Sequence, residues 1–169
     1  MPQLNAKDLI QQLALQPHPE GGYYAETYRS SEQIAQEALP GRFGGVRVFS
    51  TAIYYLLEKG NFSAFHRIKS DECWHFYAGG KLLVHILLPN GRLETVAIGS
   101  NIAAGERFQY VVPAGCWFAA EPAPDTSWSL TGCTVAPGFD FADFEMARAA
   151  DLIARYPKEE KLIKRLCRL

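Results

Sequence analysis

The 169-residue chain lacks an excess of charge of either sign. Lys and Arg total 17 and Asp and Glu total 18, so the formal net charge at pH 7 is -1. Proteins that bind DNA, RNA or an anionic membrane surface through general electrostatics carry a clear basic surplus. The charge balance therefore argues against nucleic acid and membrane surfaces as partners.

Long apolar runs are absent too. No stretch approaches the roughly 20 apolar residues that a membrane-spanning helix needs. The first 15 residues are interrupted by polar side chains such as Asn5, Asp8 and Gln11, which is unlike a signal peptide. The four cysteines form no C-x-x-C pair, so neither a zinc nor a redox motif is indicated. We expect a cytoplasmic protein with reduced, buried cysteines.

The local signatures of several enzyme classes are missing as well. The sequence contains no G-x-G-x-x-G fingerprint and no complete P-loop. It also has no H-E-x-x-H motif and no G-x-S-x-G elbow. A dinucleotide enzyme, a P-loop phosphotransferase, a zinc protease of the H-E-x-x-H type and a serine hydrolase are therefore not indicated.

What the chain does have is the composition of a globular protein, with 48% hydrophobic, 21% charged and 12% aromatic residues. A chain of this length buries roughly 70% of its unfolded surface. We therefore expect a single domain over residues 1–169, which needs neither a disulfide nor a metal to fold.

Short β-rich runs dominate the middle of the chain. Turn residues separate them, and Asn90-Gly91 predicts a tight hairpin because this pair adopts positive φ at little cost. The predicted strands cover residues 23–28, 46–57, 62–67, 73–78, 82–88, 93–98, 107–112, 116–120 and 128–135. So many closely spaced strands favour a sandwich or barrel.

Helices are predicted at both ends of the chain. Asn5 followed by Asp8 indicates a capped helix over residues 5–15. Acidic residues and a terminating proline predict a second helix over 143–156, and an amphipathic pattern predicts a third over 158–166. The expected architecture is an all-β core over residues 23–135 with flanking helices at 5–15 and 143–167.

Residues 60–79 carry the most informative spacing. It reads Gly60, five residues, His66, five residues, Glu72, six residues and Gly79. Because strand residues of equal parity share a face, His66 and Glu72 can face each other inside a barrel. By the same rule, Trp74 and Phe76 share the face of Glu72, whereas His75 points the other way.

This spacing resembles the first motif of the cupin superfamily, and residues 105–118 resemble part of the second. Four segments are similar to one small single-domain cupin family: HPEGG at 18–22, ETYRS at 26–30, DECWHF at 71–76 and VAPGFDF at 135–141. The resemblance implies a double-stranded β-helix (jelly-roll) barrel. It also implies a homodimer and a pocket for a small molecule.

The metal set of the resembled superfamily, three histidines and a glutamate, is incomplete here. Ile68 and Phe118 occupy two of the histidine positions, so only His66 and Glu72 remain. A divalent metal generally wants three or four protein ligands. We therefore expect no cofactor, and a bound divalent metal is the disfavoured alternative.

His66 and Glu72 are the candidate catalytic residues. An imidazole changes charge near neutral pH, which suits a general acid or base, and a neighbouring carboxylate orients it. The alternatives are a structural histidine bonded to Glu72 and a carboxylate that only accepts backbone amides. No sequence feature decides between these interpretations.

A second group of residues is expected to contact the ligand. An arginine inside a barrel, such as Arg47, needs either a carboxylate partner or an anionic ligand, unless it lies exposed at a strand edge. Glu20 precedes two glycines and either closes over the barrel mouth or sits in a plain turn. The remaining candidates are the histidine and aromatic residues His75, Trp74, Phe76 and Phe118.

Two functions from different classes remain open. The first is a metal-independent isomerase or epimerase that uses His66 and Glu72 on a small polar, sugar-like substrate. The second is a non-catalytic barrel that binds or senses a metabolite, since two metal-histidine positions are lost and the expected pocket is aromatic. A metal-dependent dioxygenase ranks third.

Overall fold

A computed structural model describes residues 5–168, and two antiparallel sheets dominate it. The strands are β1 (Gln16–Pro17), β2 (Tyr23–Arg29), β3 (Gln33–Ile34), β4 (Arg47–Val48), β5 (Thr51–Glu58), β6 (Ser63–Arg67), β7 (Asp71–Gly79), β8 (Leu82–Leu87), β9 (Leu93–Ile98), β10 (Gln109–Val112), β11 (Trp117–Pro122), β12 (Trp128–Ala136) and β13 (Glu145–Met146). The helices are α1 (Ala6–Gln12), α2 (Ala149–Arg155) and α3 (Glu160–Leu166).

The two sheets form the walls of a jelly-roll β-barrel. The larger has the order β1-β2-β5-β12-β7-β10, the smaller has the order β13-β6-β11-β8-β9, and β3 pairs with β4 apart from both. Several neighbouring strands in these sheets are distant in sequence, as in the pairing of β5 with β12. The predicted all-β core with flanking helices is confirmed.

Apolar side chains from both sheets fill the barrel interior. Tyr55, Trp74, Ile86 and Phe118 are each no more than 1% exposed there. Full burial of such side chains contributes roughly 1.5–3 kcal/mol each, which makes this cluster a main source of stability. The interior is therefore packed over much of its length, and only part of it is left for a cavity.

The helices cover the outer faces of the sheets. Helix α1 packs Ala6 and Leu9 against Leu56 and Leu130 of the larger sheet. Helices α2 and α3 cover Phe65, Trp117 and Ala119 of the smaller sheet with Leu152, Ile163 and Leu166. No helix within residues 5–168 is long and apolar enough to cross a membrane.

Several local predictions are confirmed in detail. The side chain of Asn5 accepts the backbone N–H of Asp8 at 3.0 Å, so the predicted cap is formed. Between β8 and β9, Gly91 has a φ of 85° and the Leu88 N–H donates to the Arg92 carbonyl at 2.9 Å. The run over residues 46–57, predicted as one strand, is divided into β4 and β5.

The helix predicted over residues 143–156 is wrong in its first half. Asp143 ends a 3₁₀ turn, and β13 then pairs with β6 before α2 begins at Ala149. The reason is tertiary: Asp143 is only 6% exposed and is bound to Arg47, 96 residues away in the chain. A local helix start cannot form while this carboxylate is held in the interior.

Candidate functional site

A cavity of about 500 Å³ lies between the two sheets. Strands β2, β5, β7 and β12 contribute inward-facing residues from one sheet, β6 contributes from the other, and the segment after β12 adds three residues. The lining residues are His18, Glu20, Tyr24, Glu26, Arg29, Thr51, Ile53, His66, Ile68, Glu72, Cys133, Val135, Phe139, Asp140 and Phe141. A volume of this size suits a small metabolite.

His66 is held in one tautomer. Its Nδ1 lies 2.7 Å from the carbonyl oxygen of Ala64, and a carbonyl can only accept, so Nδ1 carries the proton. The ring is 2% exposed and packs against Phe118 with the ring centroids 4.1 Å apart. The remaining nitrogen, Nε2, is therefore the atom of His66 that can exchange a proton with a ligand.

Glu20 is the carboxylate partner of His66. Its Oε2 lies 3.1 Å from Nε2 of His66, and both side chains are at least nine-tenths buried. The prediction that Glu72 would be the bonded partner is corrected by this geometry. A residue that lies 46 positions earlier, in the turn before β2, reaches the imidazole instead.

Two glycines and a tyrosine shape the turn that carries Glu20. Gly21 and Gly22 have φ values of 115° and 70°, which side chains rarely adopt. A Cβ on Gly21 would also collide with the carbonyl oxygen of Phe62. The hydroxyl of Tyr55 donates to the Gly21 carbonyl at 2.5 Å. Glu20 is thus directed inward by a turn that admits no side chain after it.

His18 adds a second imidazole beside the pair. Its Nδ1 accepts the backbone N–H of Glu20 at 3.3 Å. Burial lowers the pKa of His18; Glu20 opposes this shift and His66 adds to it. His18 is therefore neutral at pH 7, with its other nitrogen carrying the proton.

Glu72 lines the cavity as a second proton-holding group. Burial raises its pKa to about 7; His66 and a hydrogen bond with Cys133 oppose the shift, while Glu20 adds to it. At neutral pH this carboxyl is therefore about half protonated. The strand parity of the sequence predicts that Glu72 and His66 face the same barrel interior, and both residues line the same cavity.

An ion pair and an aromatic segment form the outer part of the cavity. Arg29 donates to Glu26 through Nε at 3.0 Å and Nη2 at 2.7 Å. It also donates to the Phe139 carbonyl, at 3.3 Å through Nη1. Phe141 is 56% exposed and packs edge-to-face on Phe139 with the centroids 5.0 Å apart.

Three aromatic candidates belong to the core and are not among the lining residues. Trp74 and Phe118 are 1% exposed and pack edge-to-face on each other, and Phe76 packs against the same cluster. The expectation that they contact a ligand directly is corrected. Phe118 instead packs against the imidazole of His66 from the side of the core.

His75 lies on the outer face of the larger sheet, as its parity predicts. Its Nε2 is 2.9 Å from the Thr134 hydroxyl and its Nδ1 is 2.8 Å from the side-chain nitrogen of Gln109. Its ring stacks on Tyr77. His75 is thus remote from the cavity, and the expected ligand contact is not supported.

Arg47 does not face the cavity either. Its Nε and Nη2 each lie 2.6 Å from an oxygen of Asp143, and Lys69 approaches the same carboxylate at 3.4 Å. Burial by itself raises the pKa of Asp143. The hydrogen bonds and charges of Arg47 and Lys69 lower this pKa by a larger amount, so the net shift is downward. Arg47 therefore anchors the end of the segment that carries Phe139, Asp140 and Phe141.

Sequence reasoning did not single out several of the lining residues, chiefly His18, Glu26, Arg29, Asp140 and Phe141. A signal was nevertheless present, because these five residues lie in three of the four segments that carry the family resemblance. The fourth segment contributes Glu72. Segments spread over more than 100 residues of sequence thus meet at one cavity.

The residues present do not fit a metal of the cupin type. Ile68 and Phe118, which stand where the superfamily places two histidines, have no donor atoms. Across residues 5–168 no group of three or more His, Cys, Asp and Glu side chains has the arrangement to hold a metal ion. We therefore derive no chemical step through a metal.

A jelly-roll barrel with a polar cavity between its sheets is the architecture found in cupins. The chain belongs to the family described as Cupin superfamily (DUF985), whose model matches residues 7–147. It is similar to protein SO0799 from Shewanella oneidensis, with 41% identity, a TM-score of 0.86, and 98% and 99% of the two chains covered.

Two further relatives extend the comparison. A hypothetical protein from Leishmania major is 35% identical with a TM-score of 0.89, over 98% of this chain and all of that one. The uncharacterized protein YML079W of Saccharomyces cerevisiae is 30% identical over 95% of this chain and 84% of its own length. Each of these three relatives thus covers at least 95% of this chain.

Proposed function

We propose that the protein is a metal-independent isomerase or epimerase that moves a proton on a small polar, sugar-like substrate. The observation that carries the proposal is the buried pair of His66 and Glu20, in which Nδ1–H of His66 is bound to Ala64 and Nε2 lies 3.1 Å from an oxygen of Glu20. Because Nε2 and a carboxylate oxygen can hydrogen-bond only through a proton between them, the two side chains can take up and release a proton as one acid–base unit.

The reaction needs two proton-holding groups and no redox cofactor. The His66–Glu20 pair removes a proton from a carbon beside a carbonyl group, and the electron pair of that C–H bond moves to the carbonyl oxygen. Glu72, half protonated near neutral pH, hydrogen-bonds to this oxygen. The electron pair then returns to carbon, which takes a proton back, so atoms and electrons balance.

Deuterium exchange tests this chemistry before the substrate is known. A metabolite mixture is incubated with the protein in D₂O, and mass spectrometry detects any compound that gains deuterium on carbon. We expect His66→Asn and Glu20→Gln to slow this labelling by roughly 10²–10⁴-fold, the usual contribution of general acid–base groups.

His75→Asn is the matched control, because His75 lies on the outer face of the barrel and contacts Thr134 and Gln109. It should label at the wild-type rate. Wild-type labelling by His66→Asn would overturn the assigned role. A compound that raises the melting temperature but gains no deuterium would instead favour the alternative, a non-catalytic binding barrel. The apolar Ile68 and Phe118, at positions where the superfamily places metal-binding histidines, also fit this alternative.

Metal content gives an independent prediction. Because Ile68 and Phe118 cannot ligate, elemental analysis of purified protein should find iron, manganese, nickel and zinc well below one equivalent per chain. Prolonged treatment with EDTA should leave the labelling rate unchanged. Near-stoichiometric iron, manganese or nickel would contradict this prediction and favour the metal-dependent dioxygenase class.

The proposal includes the setting and assembly of the protein. We expect it to act in the cytoplasm as a homodimer, without contacting nucleic acid or membrane. The four free cysteines fit a reducing compartment, and the net charge of -1 fits the absence of polyanionic partners. The dimer is what the family resemblance implies and stays a prediction.

A further inference from the structure

Carboxylates outnumber cations in the cavity. Glu20, Glu26, Glu72 and Asp140 all line it. Of the lining residues within the described range 5–168, Arg29 alone has a permanently positive side chain. Because burial keeps His18 neutral, the carboxylates exceed the positive groups whether or not His66 is protonated and whether or not Glu72 is ionised.

The one guanidinium is already engaged. Arg29 donates to both oxygens of Glu26, at 3.0 and 2.7 Å, and to the carbonyl of Phe139. The side chains of Arg29 and Glu26 are 43% and 40% exposed, so water also competes for this pair. An incoming anion would therefore compete with an internal carboxylate for this guanidinium.

The two imidazoles offer no better site for an anion. Nε2 of His66 faces Glu20 at 3.1 Å, so any positive charge on that ring is already matched. Nδ1 of His18 accepts a backbone N–H, and burial lowers the pKa of this histidine. Neither ring presents a cation that lacks a carboxylate partner.

Acceptor atoms, in contrast, are available. Asp140 lines the cavity, and within residues 5–168 the one hydrogen bond of its side chain is accepted by Oδ1 from the Ala142 backbone N–H at 2.8 Å, so Oδ2 has no partner there. Among the described residues, the thiol of Cys133 is the one hydrogen-bonding neighbour of Glu72. A primary ammonium group has three donors and no acceptor, which complements such a set of oxygens.

Aromatic rings stand beside these oxygens. Tyr24, Phe139 and Phe141 line the same cavity, and the ring of Phe141 lies roughly parallel to that of His18, at 6.3 Å. Ring faces attract cations and also pack on the C–H face of a sugar ring. The combination of carboxylates and rings fits a cationic molecule that has both hydroxyl groups and an apolar face.

We propose that the cavity selects an amine-bearing, polyhydroxylated molecule of the amino-sugar class and rejects counterparts that carry a carboxylate or phosphate. The proposal rests on the proposed function only in placing the substrate in this cavity. It adds the charge of the substrate, which the acid–base chemistry does not itself determine.

Three monosaccharides with one pyranose ring test the charge selection. The full-length protein is titrated at pH 7 with glucosamine, glucose and glucuronate by isothermal titration calorimetry. We expect glucosamine to bind at least about tenfold more tightly than glucuronate, with glucose between them. Asp140→Asn and Glu72→Gln should each reduce this preference severalfold.

Asp125→Asn is the matched control, because Asp125 is 75% exposed and, within residues 5–168, pairs only with Lys81, outside the cavity. It should leave the preference unchanged. Equal or tighter binding of glucuronate overturns the charge selection, and so does the absence of binding by all three sugars at about 10 mM.

The two proposals fail in different ways. If an acidic compound gains deuterium with dependence on His66, the charge selection is wrong and the acid–base function stands. If glucosamine binds selectively but no compound gains deuterium, the charge selection stands and the catalytic function is wrong.

Discussion

Replacing Arg47 by methionine is expected to lower the free energy of unfolding by about 3–5 kcal/mol, since the variant leaves a buried carboxylate without its main partner. Arg47 and Asp143 are 7% and 6% exposed and share two hydrogen bonds of 2.6 Å. Lys69, 3.4 Å from the same carboxylate, remains as a weaker partner, so the loss of unfolding free energy should lie near the lower end of this range. Urea unfolding at neutral pH measures the effect.

Two further variants make this result interpretable. Arg92→Met changes an exposed arginine in the turn between β8 and β9 and should shift stability by less than about 0.5 kcal/mol. Arg47→Met combined with Asp143→Leu removes both charges and should recover part of the loss. If Arg47→Met unfolded like Arg92→Met, the ion pair would not anchor the segment after β12.

Replacing Glu72 by glutamine should stabilise the protein at pH 8 and have little effect near pH 4. Burial raises the pKa of Glu72 to about 7 in the folded chain, from 4.5 in the unfolded chain. The folded state thus binds this proton more strongly, and wild-type stability falls as pH rises from 4.5 to 7. At 1.36 kcal/mol per pKa unit, the variant gains at most about 3 kcal/mol above pH 7.

Several groups face Glu72 and share in this titration. They are His66 from β6, Glu20 from the turn before β2 and Cys133 from β12. Urea unfolding curves at pH 4.5 and pH 8 give the difference, and the exposed Glu37→Gln serves as the control that should show none. A Glu72→Gln variant that gained no more at pH 8 than at pH 4.5 would contradict an ionisation penalty at Glu72.

Strands with regular alternation could be predicted from sequence, because their pattern is local. The run 93–98 has the same bounds as β9, and Asn90-Gly91 forms the turn before it. The local sequence pattern could not show that a helix starting at Asp143 is wrong. The backbone of this segment is determined by the contact of Asp143 with Arg47 and by the pairing of β13 with β6, and neither contact can be read from the neighbouring residues.

In the candidate site, too, the local features could be predicted from sequence and the long-range contacts could not. Parity within β6 and β7 correctly places His66 and Glu72 at one cavity and His75 outside it. Parity specifies the face of a strand but not which turn folds over that face. The approach of Glu20 to His66, and the capture of Arg47 by Asp143, depend on contacts between segments 46 and 96 residues apart.

The cavity draws its walls from both sheets and from segments that begin at His18 and end at Phe141, so it exists only when the whole barrel is closed. Any molecule that binds there is bound by the folded chain and not by the unfolded one. By mass action, a ligand present at one hundred times its dissociation constant adds about 2.7 kcal/mol to the unfolding free energy. The resistance of the entire domain to heat or urea therefore reports whether the cavity holds a ligand.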